Sequence, residues 1–374
     1  MVPSNHTKLP IPDEFKSTGI RFISCAEQLT EDWLDAVLRS VGRLGSAKVV
    51  KLQMSPIGNG MLGTNFRIEV QYEGESTNAP RSLVVKFPSS NATSRDTGVS
   101  QWLYQKEVRF YQEVATSVRI GVARPLYAEI SADMRDFCLL LEDLTPAVGG
   151  DQINGCTVQE AEWAIDAAAA LHGPYWGDPS LDQYPWLARQ LRVPSLAPRY
   201  AACAPVFAKR YANDLEPAIL DVVQSLASVI ERYFDKQREP WTITHGDYRL
   251  DNMLFNARGG SLPVALVDWQ TVQAGPGVTD VSFFLGCGLL TEVRREHERD
   301  LVQRYHRELL RYGVKDYEEE RCWHDYRLYA PQGLIQAVIA ASSTTRTKRG
   351  DQLFLTMARR HGFQMLDLRT LELI

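Results

Sequence analysis

His245, Gly246 and Asp247 are followed, five positions after the aspartate, by Asn252 in the run WTITHGDYRLDNMLF. Further along, the apolar run PVALV leads into Asp268-Trp269-Gln270. Phosphoryl transfer needs such a set. One carboxylate orients or accepts the proton of an attacking hydroxyl, while an amide and a second carboxylate hold Mg²⁺ against nucleotide phosphates. Singly, each residue has a plain structural explanation, since Asp and Asn are turn formers and an Asp ending a strand often caps a helix. The joint pattern HGDxxxxN, apolar strand, Asp is far more specific than its parts.

The amino-terminal half adds a second group. Gly58, Gly60 and Gly63 form a literal GxGxxG. In a dinucleotide fold that motif must open a helix. Here TNFRIEVQY follows, a strand by composition, which excludes that reading. A Gly-rich turn between strands can cover phosphates or be a plain hairpin turn. Lys86 closes the apolar run SLVVKFP. A buried lysine needs a partner, because an unpaired charge is costly to desolvate. Glu107, in KEVRFY, is the natural partner and Glu113 the less favoured one; the alternative is that Lys86 snorkels from a strand end. His245 reads as a satisfied buried histidine that braces its loop, and Asp280, ahead of VSFFL, as a helix cap.

These groups need elements to position them. After a mixed lead-in over 1–29, Thr30 caps a helix whose apolar positions include Trp33, Leu34, Val37 and Leu38. AKVVKLQMSPIG, TNFRIEVQY and RSLVVKFP read as three successive strands. A helix over 97–117 and the strands PLYAEI and FCLLLEDL follow. Past Pro146 the pattern is helical: Thr157 and Glu160 form a capping box ahead of AEWAIDAAAALHG, with further helices over 215–235, 292–312 and 351–369. The expected class is α+β in two lobes, an antiparallel β-sheet amino lobe over 1–143 and a mainly helical carboxyl lobe over 144–374.

The series HGDxxxxN, VDWQ and GPxxxD resembles that of the aminoglycoside phosphotransferase and choline kinase superfamily, which has a protein-kinase-like fold. HGDYRLDNMLF, VDWQ and ALHGPYW are similar to the ecdysteroid-kinase-like branch and its bacterial relatives. The resemblance spans Gly58 to about Asp280. It implies Asp247 as catalytic base and Asn252 and Asp268 as Mg²⁺ ligands. It also implies a Lys86–Glu107 bridge with Lys86 reaching the ATP phosphates under the glycine loop, and His245 and Asp280 as supports. By order alone, the backbone at Glu142–Leu144 would meet the adenine edge. Asp268 is followed by Trp-Gln rather than Phe-Gly, and residues 271–279 form only a short connection without an activation segment. That points to a small-molecule alcohol rather than a protein as acceptor.

The remaining composition narrows the classes. Forty-one basic against 46 acidic residues give a net charge of −5, against a general nucleic-acid binder. Six scattered cysteines without CxxC spacing argue against a disulfide framework or structural zinc. No stretch suits a membrane span, and the start lacks a signal-peptide layout; the expectation is a cytoplasmic protein. In the carboxyl lobe, Tyr175, Trp176, Tyr184, Trp186, Trp323, Tyr326 and Tyr329 are candidates to line a pocket for a lipophilic or ring-bearing alcohol. The alternatives are an aminoglycoside or amino-alcohol kinase, and a nucleotide-binding pseudokinase serving as an interaction module.

Overall fold

The computed structural model describes residues 19–58, 62–75, 78–187, 193–344 and 346–374. Residues 1–18 of the expected lead-in over 1–29, and Gly60, lie outside the described residues. The chain divides into two compact units, and the division is not sequential: 1–118, 122–146 and 266–271 make one, the remainder the other.

The first unit is built on a five-stranded antiparallel sheet. Its strands are β1 (Lys48–Ile57), β2 (Gly63–Glu73) and β3 (Ser82–Pro88), then β5 (Pro125–Ile130) and β6 (Phe137–Glu142), in the order β1-β2-β3-β6-β5. Between β3 and β5 come the two-residue β4 (Gly121–Val122) and two helices, α2 (Ala92–Ser100) and α3 (Leu103–Arg109). Helix α1 (Glu31–Ser40) precedes the sheet. Its N-cap is Thr30, whose hydroxyl accepts the Trp33 amide at 3.2 Å. The buried face of α1, Trp33, Leu34, Val37 and Leu38, joins Val49, Ile68, Leu83, Val85 and Leu140 in one core.

The expected continuous helix over 97–117 is instead interrupted. Trp102 adopts the left-handed conformation (φ 62°) between α2 and α3. The turn lets the Tyr104 ring fold against Gly98, where a Cβ would lie 2.4 Å from the ring. Past Arg109 the helix widens into a π-turn over Phe110–Val114. Such turns hold one extra residue and re-aim the side chains around it.

The second unit is mainly helical. Its helices are α4 (Val158–His172), α5 (Val193–Arg210), α6 (Pro217–Asp235), α7 (Val278–Gly288), α8 (Thr291–Arg311), α9 (Glu319–Leu328), α10 (Pro331–Ser343) and α11 (Lys348–Asp367). The Thr157–Glu160 capping box is present at the start of α4. Helix α4 packs on α8, and Arg304 grips Asp166 across that contact at 2.7 and 2.8 Å. Every residue of α7 is buried, so it is the central rod of the unit. Short strands carry the motif loops: β7 (Val148–Gly149), β8 (Thr242–Thr244), β9 (Met253–Ala257), β10 (Leu262–Leu266) and β11 (Gln273–Gly275). They form a four-stranded sheet, β4-β10-β9-β7, and the pair β11-β8. No helix among the described residues is long and apolar enough to cross a membrane.

Candidate active site

In the first unit, β3 delivers Lys86 opposite Asn65 of β2 and Leu139 of β6. Its ammonium lies 2.7 Å from Glu107 Oε1 on α3 and 3.0 Å from Asp268 Oδ1. Lys86 and Glu107 are buried, whereas the Asp268 side chain is 43% exposed. Burial alone would pull the Lys86 pKa down, but the two carboxylates outweigh it and hold the pKa above the ordinary lysine value. Burial pushes the Glu107 carboxyl up, against the pull of Lys86. One cation between two carboxylates leaves the cluster with an excess negative charge. Glu113, the less favoured partner, bonds Arg109 at 2.7 Å instead.

The segment after Asp268 is pinned to the same unit. Asp268 itself is left-handed (φ 64°), a conformation that costs a non-glycine residue about 1–2 kcal/mol and persists only when its surroundings enforce it. Trp269 is fully buried and stacks on Phe110 of the π-turn, with ring centroids 3.8 Å apart and planes within 10°. At the glycine loop, Gly58 takes φ +69°, and a Cβ at Gly63 would lie 3.0 Å from both Lys86 Cε and the Phe87 carbonyl. Gly63 is therefore what lets the lysine stem pass. Tyr104 ties the loop's end down, its hydroxyl donating to the Leu62 carbonyl at 2.6 Å. At the end of β6, the side chain of Glu142 accepts the Arg124 amide at 3.2 Å, and Leu144 beyond it is buried.

In the second unit, β8 ends at Thr244 and the loop 245–252 follows. Asn252 Nδ2 donates to Asp247 twice, to Oδ2 at 2.8 Å and to its carbonyl at 2.9 Å. Arg249 Nε lies 3.1 Å from each Asp247 carboxylate oxygen, and its Nη1 bonds Asp251. The two carboxylates, Asp247 first, outweigh burial and raise the Arg249 pKa further. His245 is buried, and its Nδ1 accepts the Asp247 amide at 3.4 Å. Gln336 Nε2 donates to the Gly246 carbonyl at 2.5 Å.

Asp280 does not cap its own helix as expected; the N-cap of α7 is Gly277. The carboxylate instead receives the amides of His245 at 2.7 Å and Gly246 at 3.0 Å, with His172 Nε2 at 3.3 Å. Asp280→Asn would turn one acceptor into a donor facing a buried amide. The expected cost is about 1–3 kcal/mol of stability, measurable by denaturant unfolding. A variant as stable as the wild type would show that the two amides do not depend on this carboxylate.

Sequence reasoning missed Arg249, Asp251, Tyr104 and Phe110. Arg249 and Asp251 lie inside the motif itself, and their alternating charges were the signal available. The aromatics expected to line a pocket are largely core: Tyr175, Tyr184, Trp186, Tyr326 and Tyr329 are all buried.

The ecdysteroid kinase-like family matches residues 196–315, a stretch that contains Asp247, Asn252, Asp268 and Asp280. Choline kinase from Cryptosporidium parvum Iowa II superposes with a TM-score of 0.51 at 8% identity, over 85% of this chain and 89% of that one. A protein of Ralstonia eutropha JMP134, provisionally classed as an aminoglycoside phosphotransferase, gives a TM-score of 0.50 at 14% identity, over 89% and 97%. The fold is protein-kinase-like. Aminoglycoside 2'-phosphotransferase-IIIa, solved with GDP, agrees at a TM-score of 0.50 and 11% identity, over 89% of this chain and 99% of that one. At such identities the likeness is one of fold. No curated protein matches by sequence.

Proposed function

We propose that the chain is a Mg²⁺- and ATP-dependent phosphotransferase that moves the γ-phosphoryl group to a hydroxyl of a small molecule. The observation that carries this reading is the Asp247–Asn252 pair in a loop held by buried hydrogen bonds. The Lys86–Glu107–Asp268 cluster supports it. Asp247 accepts the proton of the acceptor hydroxyl, a role typically worth about 10²–10⁴ in rate. Lys86 binds the α- and β-phosphates, under the turn carrying Gly58, Gly60 and Gly63, and the backbone at Glu142–Leu144 meets the adenine edge. His245 and Asp280 hold the loop.

The donor set suits Mg²⁺, a hard cation that takes oxygen ligands from one or two side chains and from substrate phosphates. Asp268 offers an exposed carboxylate from a cluster with excess negative charge. Asn252 commits its Nδ2 to Asp247, so Oδ1 is its ligand atom. The ion's contribution, once bound, is to neutralise charge on the phosphates. Asp268→Asn is expected to weaken Mg²⁺-dependent ATP binding at least about tenfold, or 1.4 kcal/mol. Calorimetric titration with and without Mg²⁺ reads this directly, and unchanged affinity would remove Asp268 from the metal site.

For the acceptor, burial of the carboxyl-lobe aromatics takes support away from a lipophilic alcohol. The choline kinase and aminoglycoside phosphotransferases of the same fold favour a hydroxyl compound bearing an amine. The ecdysteroid kinase-like match keeps the lipophilic alcohol as second reading. ADP release measured with choline, an aminoglycoside, a sugar and a steroid alcohol separates the two. Release with the steroid alone would overturn the first reading. Mg·ATP binding without release for any acceptor would favour a pseudokinase.

A further inference from the structure

Helix α7 grips the loop 245–252 at its start through Asp280, and the same helix bears on the loop's other end. The Cys287 carbonyl belongs to the last turn of α7, where backbone acceptors lack helical partners and a cation is favoured by the helix dipole. Two buried side chains meet it. Gln152 Nε2 donates to this carbonyl at 2.7 Å, and Arg360 Nη1, from α11, donates to it at 2.8 Å. Arg360 also donates to the carbonyls of Gln152 at 3.1 Å and Ile153 at 2.8 Å. These hydrogen bonds all go to main-chain oxygens, and they fix the backbone around residue 152.

Gln152 is fully buried and turns its remaining groups onto the loop. Its side-chain Oε1 accepts the Leu250 amide at 2.9 Å, while its main-chain N–H donates to Asp251 Oδ1 at 3.0 Å. Two residues earlier, Gly150 runs so close that a Cβ would lie 2.5 Å from the Leu250 carbonyl. From Asp251 the connection continues through Arg249 to the Asp247 carboxylate. A buried glutamine with donor and acceptor both committed has one orientation, because turning its amide would face donor to donor at Leu250.

Resting on the phosphotransferase reading above, we propose that Gln152, fixed by Arg360 and the C-terminus of α7, is a positioning residue for Asp247, acting through Asp251 and Arg249. Asp280 and Gln152 then hold the two ends of one loop from the two ends of one helix.

The test compares the wild-type chain with Gln152→Ala, using turnover of Mg·ATP with water as acceptor and amide exchange at Leu250. Gln152→Ala is expected to lower kcat at least about tenfold with KM for ATP within about threefold, the signature of a misplaced catalytic group rather than a lost binding contact. In the double variant with Asp251→Ala the losses should not multiply, because the Gln152 side chain fixes the main chain whose N–H holds Asp251, so both substitutions act on one chain of contacts. Leu250 exchange should accelerate while amides within α7 stay protected. Unchanged kcat with a lower melting temperature would overturn the proposal, as would multiplying losses or an unaltered Leu250 amide. If Gln152→Ala does not fold, Gln152→Glu retains the acceptor for Leu250 and loses the donor to Cys287. Its kcat should fall between wild type and Asp251→Ala, and wild-type turnover would refute the idea. Absence of ATP turnover in the wild type would count against the phosphotransferase reading, while the exchange measurement still decides whether Gln152 anchors the loop.

Discussion

Asp247→Asn is expected to reduce phosphoryl transfer by about 10²–10⁴-fold, the range for removal of a positioned general base, while Mg·ATP affinity stays within about threefold. The asymmetry follows from where the carboxylate sits. It is engaged by Arg249 and Asn252 within its own unit, whereas Lys86 and Asp268 belong to another cluster. The substituted amide still accepts from Arg249 through one oxygen, but its NH₂ group meets a second donor, Asn252 Nδ2 or Arg249 Nε. A stability loss of about 1 kcal/mol should accompany the lost turnover. Single-turnover kinetics with an acceptor found by the ADP assay would measure the first effect and calorimetry the second. Turnover preserved in the variant would mean that the acceptor proton leaves by another route and that Asp247 is a structural residue of its loop.

Lys86→Met should have two large consequences. Nucleotide affinity should fall at least about tenfold, since the cation proposed to bind the phosphates is gone. Stability should fall by about 3–5 kcal/mol near neutral pH, because Glu107 becomes a buried charge without its partner. The second loss should depend on pH. Burial already pushes the Glu107 carboxyl above its ordinary value, and removing Lys86 leaves burial unopposed by that cation. A group whose folded pKa is raised contributes stability that is fully present below its unfolded pKa and is lost as pH rises through the folded one. The variant should therefore lie closer to wild type near pH 5 than near pH 8, a comparison that paired thermal melts make directly. An equal gap at both pH values would sink the Glu107 argument. Unchanged nucleotide affinity would leave Lys86 as a purely structural cation.

What the sequence makes legible follows from how local each signal is. The strand runs around Lys86, the capping box at Thr157 and the helix at Thr30 are set by neighbours a few positions apart, and all three are present. The same holds for the Asp247–Asn252 contact, which one loop turn closes. The Lys86–Glu107 pairing was readable because a lysine flanked by apolar residues has few ways to be satisfied. The interruption at Trp102 was not, because it depends on the Tyr104 ring folding onto Gly98 and no helical periodicity encodes that contact. Nor was Gln152, whose partners lie at Leu250, Cys287 and Arg360. A polar residue in a short loop looks solvated until the chain closes around it. Of the two compatible readings of Asp280, helix cap and loop support, the cap is the one the structure does not show, although an acid in the first turn of a helix is most simply read as serving that helix.

The first unit takes residues 266–271 from far along the chain, and this has a consequence during synthesis. When Pro146 leaves the ribosome, the amino-terminal sheet can pair its strands, but the ring that stacks on Phe110 and the second carboxylate on Lys86 have not been made. About 120 further residues must be translated first, on the order of ten seconds at typical elongation rates. For that interval the nascent unit displays an uncovered aromatic face and a lysine with only one of its two counter-ions. The last contacts of this early-made half therefore wait on the translation of the other.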